Sequence, residues 1–114
     1  MKLMTKAQRE QMLKNGAARY EDNHDPKPVI KLFDPLGTAT WLLTELDPEN
    51  PDLAFGLCDL GMGFPDLGDV SISELESIKK GAIRIGIERD IHFKANKTLR
   101  EYTAEAKKNQ RIVA

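Results

Sequence analysis

A four-residue turn between two apolar segments constrains the fold of this chain more than any other feature. The segment Asp34-Pro35-Leu36-Gly37 has Asp, Pro and Gly at the first, second and fourth positions, where a type I turn favours them. Residues 29–33 before it and residues 38–46 after it are rich in the β-branched and aromatic side chains typical of strands. The sequence therefore predicts a β-hairpin, and with it an antiparallel sheet.

Further strand patterns follow the hairpin. Residues 47–52 contain two prolines and are predicted to form the next turn, and the alternating residues 53–60 form a third strand. A glycine-rich loop is expected at 61–68, followed by a short strand at 70–72. At 83–87, isoleucines alternate with less apolar residues, as in a half-buried strand.

Three helices are expected around these strands. Each begins at a hydroxyl residue that has Glu or Gln three positions later, which is the pattern of a capping box: Thr5-x-x-Gln8, Ser73-x-x-Glu76 and Thr98-x-x-Glu101. The first helix is predicted to end at Gly16 and the second at Gly81. The sequence thus predicts one α+β domain over residues 1–114, an antiparallel β-meander of three to five strands with three flanking helices, and a frayed tail at 109–114.

Composition limits the kinds of site that the chain can carry. A chain of 114 residues suits a single core, and its one cysteine excludes an internal disulfide and a multi-cysteine zinc site. No apolar run approaches the roughly 20 residues of a membrane span, and the first residues lack the apolar core of a signal peptide. We therefore expect a cytoplasmic protein without a cofactor or a membrane partner; the sequence does not indicate its oligomeric state.

Several short motifs resemble one known family. The sequence is similar over residues 2–103 to small bacterial proteins of unknown function that are often encoded on plasmids, conjugative elements and phages. The resemblance implies a genetic setting, an accessory role on a mobile element, and no particular chemistry. The motifs, in chain order, are Lys2-Leu3-Met4-Thr5, Val29-Ile30-Lys31-Leu32-Phe33-Asp34-Pro35, Thr40-Trp41, Phe55-Gly56-Leu57, Ser73-Glu74-Leu75-Glu76-Ser77 and Ile87-Glu88-Arg89-Asp90-Ile91-His92-Phe93.

Charge is strongly segregated along the chain. Residues 32–76 contain ten acidic side chains and no Lys or Arg, whereas the segments on both sides are net basic. Such segregation bears on partners rather than on fold. It favours a non-enzymatic interaction protein that binds a basic protein partner through an acidic surface of the meander loops, with Asp47, Glu49, Asp52, Asp66 and Asp69 as the contact residues.

Trp41 is a further candidate in the same segment. It either anchors the partner or packs in the core, and strand alternation does not decide between the two. The structural alternative for the acidic residues is that they serve solubility and lie in turns, where Asp is common.

The basic C-terminal segment supports a different function. Arg100, Lys107, Lys108 and Arg111 can contact nucleic-acid phosphates, although Glu101 interrupts the basic run and no recognised DNA-binding motif is present. Nucleic-acid association is therefore the alternative hypothesis.

A third hypothesis is a metal-dependent enzyme. On a strand, Glu88, Asp90 and His92 would project to one face, where two carboxylates and an imidazole can bind a divalent metal or act as acid and base. His24 would join them if its loop folded back. The competing interpretation is a solvated strand face on which Arg89 pairs with Glu74 or Glu76, and we predict no bound metal.

Two remaining features are expected to carry no chemistry. Cys58 has no basic neighbour and is interpreted as a small buried apolar residue. The Gly61-Met62-Gly63 loop lacks the Lys of a phosphate-binding loop and is flanked by acidic residues, so it is interpreted as a flexible rim or a lip that contacts a partner.

Overall fold

The computed structural model describes residues 2–114 and has the predicted α+β architecture. Over these residues the elements are α1 (Lys6–Ala17), β1 (Ile30–Phe33), β2 (Thr40–Asp47), β3 (Asn50–Asp59), β4 (Asp66–Ser71), α2 (Ile72–Ser77), β5 (Lys79–Lys80), β6 (Ile85–Gly86), β7 (Glu88–Arg89) and α3 (Leu99–Asn109).

The main sheet is an antiparallel meander with one added strand. Its order is β4-β3-β2-β1-β7, and β5 pairs with β6 in a separate two-stranded ribbon. The meander therefore places β4 at one edge of the main sheet and β7 at the other. No helix in residues 2–114 has both the length and the apolar character that a membrane crossing requires.

The β1–β2 hairpin forms as its turn residues predict. The Gly37 N–H donates to the Asp34 carbonyl oxygen at 3.1 Å, and the Leu36 N–H donates to the Asp34 carboxylate at 3.0 Å. The next turn is tighter than predicted, because Asp47 and Asn50 already face each other across it. Pro51 lies inside β3, where the register shift leaves it without a partner in β2, so its missing N–H costs no β2–β3 hydrogen bond.

Helix α1 begins as predicted but does not end at Gly16. The capping box is present: the Thr5 hydroxyl accepts from the Gln8 N–H at 3.1 Å, and the Gln8 side chain accepts from the Thr5 N–H at 2.8 Å. Gly16 is inside the helix, where a Cβ would lie 1.8 Å from the Leu46 carbonyl oxygen. The glycine therefore permits close packing of α1 on β2 rather than a helix end.

The segment from Gly61 to Ile87 departs most from prediction. The expected loop ends early, since β4 begins at Asp66. Helix α2 is capped by Ser71 instead of Ser73, because Asp52 accepts both the N–H and the hydroxyl of Ser73 at 2.8 Å. Gly81, with φ of 74°, lies in the β5–β6 turn and not at a helix end.

The strand expected at 83–87 is also shorter than predicted. Only Ile85–Gly86 pairs, with Lys79–Lys80, while Ile83 is 79% exposed and Ile87 is buried. Local alternation was therefore a poor guide to pairing here.

Both faces of the sheet are covered. Leu43 belongs to the core between the sheet and the helices α1 and α2, whereas its neighbour Leu42 belongs to the core under α3. Trp41 is 4% exposed and lies in the first of these cores. Of the two roles open to Trp41, the structure selects core packing, and its assignment as a partner anchor is wrong.

The chain beyond α3 returns to the sheet. Helix α3 has its predicted capping box at Thr98 and Glu101. Beyond it, Ile112 is buried in the core under α3, and its N–H donates to the Asp59 carboxylate at 2.9 Å. Lys31 also donates to the carbonyl oxygen of Ala114 at 2.8 Å.

Candidate functional site

The predicted Glu88–Asp90–His92 cluster does not form one strand face. Strand β7 ends at Arg89, and the chain then turns, with the His92 N–H donating to the Asp90 carboxylate at 2.9 Å. Period-two alternation therefore does not extend to His92. The predicted arrangement is wrong, because a local side-chain-to-backbone hydrogen bond stabilises a turn in place of the strand.

The surroundings of these residues also differ from those of a metal site. The Asp90 carboxylate lies 3.6 Å from the Lys31 ammonium group. Over residues 2–114, no three His, Cys, Asp or Glu side chains are grouped so that they could hold a metal ion. Arg89 donates to the Lys2 carbonyl oxygen at 2.9 Å.

His24 folds over the sheet but meets a different carboxylate. Its Nε2 lies 3.0 Å from Glu45 Oε1, and the Thr44 hydroxyl donates to the same oxygen at 3.1 Å. Glu45 reaches the α3 face because the register between β2 and β3 shifts at Thr44. Without this bulge, alternation would direct Glu45 into the apolar core that contains Leu43 and Trp41.

The His24–Glu45 pair lines a groove on the α3 face. The groove has a volume of about 330 Å³ and lies between the first turns of α3 and the strands β3 and β4. Its apolar walls include Phe55, Leu67 and Leu99. Beside the groove, Glu45 of β2 pairs with Phe55 of β3, which pairs in turn with Asp69 of β4.

The acidic residues of segment 32–76 divide into groups with different environments. Three are buried and hold the fold together: Asp34 accepts from Lys80, Glu45 meets His24, and Asp59 accepts from the Gly61 and Ile112 N–H groups. The ten acidic residues therefore do not form one continuous surface.

Two further acidic residues are held in ion pairs. Asp47 Oδ2 lies 3.5 Å from Arg19, and Asp66 Oδ1 lies 3.4 Å from Lys107. The Glu49 N–H and then Arg19 lower the pKa of Asp47, while the Leu67 N–H and then Lys107 lower the pKa of Asp66. These two carboxylates are already partly neutralised by the protein itself.

The remaining acidic residues form what we call the acidic border. They are exposed, and none forms an ion pair with another residue that the structure describes. Asp52 bonds to both Ser71 and Ser73, which ties β3 to the junction of β4 and α2. Those bonds, from Ser71 first, lower the pKa of Asp52 and keep it ionised. Asp69, Glu74 and Glu76 lie within five residues of Ser71 along the chain, and Glu49 lies in the β2–β3 turn. The acidic border consists of Glu49, Asp52, Asp69, Glu74 and Glu76.

The basic residues predicted to contact nucleic acid lie on and just beyond α3. Arg100, Lys108 and Arg111 are exposed. Lys107 pairs with Asp66, and the nearby Lys97 donates to both oxygens of Glu105 at 2.8 Å. Part of the basic surface is thus used within the fold.

Cys58 matches its predicted structural role. It is partly buried in β3, and burial, with smaller contributions from Asp69 and Asp66, raises the pKa of its thiol to about 11. The thiolate that nucleophilic or metal chemistry needs is therefore disfavoured.

An exposed apolar loop accompanies these features. Leu60, Met62 and Phe64 are all exposed in the β3–β4 loop, and Phe64 is 84% exposed. The loop lies beside the β1–β2 turn, since a Cβ on Gly61 would meet the Thr38 hydroxyl at 1.7 Å. Exposed apolar side chains that form one contiguous patch are a feature of contact surfaces, whereas single exposed ones are ordinary.

Sequence reasoning did not anticipate the groove or the His24–Glu45 pair. One signal was present: Glu45 is a lone charge within the apolar run of β2, and a buried charge needs a partner. The apolar loop has a comparable signal, because its large apolar residues alternate with Gly61 and Gly63 where polar residues are usual.

Together these features define a small α+β protein with a meander sheet and a groove beside an edge strand. A family model matches residues 3–113, and the chain belongs to that family, which is described as "protein of unknown function (DUF2958)". No curated protein and no solved structure matches the chain.

Proposed function

We propose that this protein is a non-enzymatic interaction protein that binds a basic protein partner through the acidic border. The observation that carries the proposal is the set of exposed carboxylates on the border without an ion-pair partner among the described residues. Other acidic residues of the same segment are buried or held in ion pairs, so their charge is partly compensated within the fold. The border is the part of the acidic segment that is free to attract a cation.

Charge and position both support this interpretation. Complementary charge accelerates association and selects partners more than it adds affinity, so a border of carboxylates suits recognition of a Lys- and Arg-rich surface. The hydroxyl groups of Ser71 and Ser73 fix the Asp52 carboxylate at 2.6 and 2.8 Å, which orients its charge before a partner arrives.

We also propose that the protein is an accessory factor of a mobile genetic element. The similarity of its motifs to proteins encoded on plasmids, conjugative elements and phages supports this setting. A partner encoded on the same element would fit it.

The test compares two triple charge reversals. The first is Glu49→Lys/Asp69→Lys/Glu76→Lys on the acidic border. The matched control, Glu10→Lys/Glu21→Lys/Asp22→Lys, makes the same change in net charge at exposed residues elsewhere. Tagged wild-type protein and both variants are used to capture proteins from host cells, and recovered partners are quantified by mass spectrometry after a thermal melt has confirmed folding.

We expect the wild type and the control to capture a basic protein that the border variant does not capture. Salt should release this protein. Equal recovery of every captured protein by all three chains contradicts the proposal. The purified partner must also bind the wild type directly.

Nucleic acid is the second candidate, supported by the exposure of Arg100, Lys108 and Arg111. Nucleic-acid binding predicts retention of DNA or RNA that weakens as salt is raised. The double substitution Lys108→Ala/Arg111→Ala should abolish this retention, and the reversal of charge on the acidic border should increase it. Protein capture that survives nuclease treatment and depends on the border favours the first proposal instead.

A further inference from the structure

The acidic border includes Asp69 of the edge strand β4, and the alternation of hydrogen bonds across the sheet fixes the direction of the backbone groups in that strand. The Asp34 N–H donates to the Ala39 carbonyl oxygen at 3.0 Å, which makes these two residues a hydrogen-bonded pair. Hydrogen-bonded and non-bonded pairs alternate along an antiparallel ladder. The pair Lys31–Leu42 is then non-bonded, so the Lys31 carbonyl faces away from β2, as its 2.9 Å bond from the Asp90 N–H confirms.

The same alternation carries across the sheet to β4. Leu42 directs its backbone groups towards Leu57 in β3, and Leu57 directs its own back towards β2. The pair Leu57–Leu67 is therefore non-bonded, and the backbone groups of Leu67 face away from the sheet. The N–H of Leu67 agrees, since it donates to the Asp66 carboxylate at 2.8 Å. Because the direction of the backbone groups repeats every second residue along a strand, the N–H and C=O of Asp69 also face outward.

The outer side of β4 is open in other respects. None of its residues is buried, and no strand pairs with its outer side within residues 2–114. A Cβ on Gly68 would meet nothing within 4 Å, so on the face opposite Leu67 and Asp69 there is room beside β4 for a neighbouring side chain. Proteins normally protect a strand edge, or use it to bind another strand.

The side chains beside the free edge have a definite chemistry. Leu67 and Asp69 pair with Leu57 and Phe55 and so lie on the α3 face. Leu67 is 42% exposed and lines the groove, whereas Asp69 is an exposed carboxylate of the acidic border. The edge thus offers an apolar contact and a negative charge two residues apart on one face.

We infer that an extended segment of the partner adds to β4 as a further strand, placing an apolar side chain beside Leu67 and a Lys or Arg opposite Asp69. This inference rests on the proposed function and specifies how the basic partner binds. In antiparallel pairing the partner sequence reads basic-x-apolar from N to C, and in parallel pairing it reads apolar-x-basic. The intervening residue faces the open space over Gly68.

A second copy of this chain fits the edge less well than a basic segment does. Pairing β4 with its copy would place two Asp66 and two Asp69 carboxylates on one short ribbon, and like charges across strands are destabilising. A basic segment replaces that repulsion with attraction.

The experiment uses the full chain and defined heptapeptides with blocked ends. The first peptide is Thr-Val-Arg-Thr-Leu-Val-Thr, and the second exchanges Arg and Leu. The third, Val-Thr-Leu-Arg-Val-Thr-Thr, has the same composition, but only Thr stands two positions from Arg, so Arg shares no face with an apolar side chain. Affinity is measured by calorimetry, and amide hydrogen exchange of Leu67 and Asp69 is followed by NMR.

One of the first two peptides is expected to bind more tightly than the third and to slow exchange at Leu67 and Asp69. If the first, antiparallel peptide binds, N-methylation of its Arg and Leu amides should weaken binding about tenfold or more, because in antiparallel pairing the residues opposite Leu67 and Asp69 direct their N–H groups to β4. N-methylation of the intervening Thr should then leave binding nearly unchanged. If the second, parallel peptide binds, the pattern reverses, because there the N–H of the intervening Thr faces β4 and those of Arg and Leu face away. Asp69→Asn should weaken binding and its salt dependence, while Asp22→Asn should not.

Equal affinity for all three peptides, no effect of N-methylation, or no protection of Leu67 and Asp69 at millimolar peptide would each overturn strand addition. Protection that grows with protein concentration in the absence of peptide would show self-pairing and overturn it as well. If the border reversal still abolishes capture of the basic partner, the proposed function survives and only strand addition falls.

Discussion

Gly16 of α1 packs directly on the backbone of Leu46 in β2. A Cβ at position 16 would lie 1.8 Å from the Leu46 carbonyl oxygen and 3.0 Å from its carbonyl carbon. Helix α1 has no acidic residue in its first turn, and Met12 and Gly16 are its buried residues. The attachment of α1 to the sheet therefore depends on this close backbone approach, on the apolar contact of Met12, and on the Asn15 side chain, which donates to the Thr44 carbonyl oxygen at 2.8 Å.

Substitution Gly16→Ala is expected to destabilise the protein. The added methyl group meets backbone atoms that cannot rotate away, and overpacking of this kind costs about 1–3 kcal/mol or more, even though Ala favours a helix over Gly. Urea denaturation measures the change. Lys14→Ala, at an exposed position of the same helix, is the control and should change stability little; equal stability of Gly16→Ala and wild type would contradict the packing argument.

Asp34 is expected to contribute to the acid sensitivity of the fold. The bond from Lys80, followed by that from the Leu36 N–H, lowers the pKa of Asp34 below its usual range. A carboxyl group whose pKa is lower in the folded than in the unfolded chain stabilises the fold above the unfolded value of about 4, and this contribution is lost as pH falls through the folded pKa.

Substitution Asp34→Asn should therefore lower stability at pH 7 and reduce the additional loss of stability below about pH 4. Thermal melts between neutral and acidic pH measure both effects. Asp22→Asn changes an exposed carboxylate and is the control. A variant that shows the wild-type slope against pH at the acidic end would rule out this role for Asp34.

The Cys58 thiol is expected to react slowly in the folded protein. Its pKa of about 11 leaves little thiolate at pH 8, and its side chain is partly buried in β3. Alkylation by iodoacetamide, followed by mass spectrometry, should be much slower than in urea-unfolded protein at the same pH, and it should accelerate as pH rises towards 11. Alkylation at equal rates in the folded and unfolded chains would contradict this assignment.

The exposed loop and the buried sheet should respond differently to loss of apolar groups. Met62→Ser/Phe64→Ser removes two large side chains from solvent-exposed positions and should change stability by less than about 0.5 kcal/mol. Leu57→Ala removes part of a fully buried side chain and should cost about 2–5 kcal/mol.

Urea denaturation of the two variants separates these effects. A comparable loss of stability in both would mean that the loop packs more tightly than its exposure indicates. Greater solubility of the Met62→Ser/Phe64→Ser variant at high concentration would support a contact role for the loop.

Local sequence was sufficient where the stabilising interaction spans only a few residues. The capping boxes at Thr5 and Thr98 and the turn at Asp34 form as predicted, because each is a hydrogen bond between residues two or three positions apart. The cap of α2 moved from Ser73 to Ser71 because a distant residue, Asp52, binds Ser73. Long-range hydrogen bonds of this kind have no local signature.

The candidate site was less predictable than the fold for the same reason. Alternation indicated a strand through His92, but a local bond from the His92 N–H to Asp90 ends it. The segregation of acidic residues along the chain was visible in sequence, whereas their separation into buried, paired and free groups depends on contacts with Lys80, His24 and Lys107.

The sequence by itself determined the α+β class, the meander and the helix starts at Thr5 and Thr98, because apolar period and short-range hydrogen bonding are properties of neighbouring residues. Only the tertiary structure decided that Gly16 packs on Leu46, that Trp41 is buried, and that a bulge at Thr44 directs Glu45 towards His24. It also decided that β4 is an edge strand beside the acidic border. These features depend on which segments meet in space, and that is set by the packing of both faces of the sheet at once.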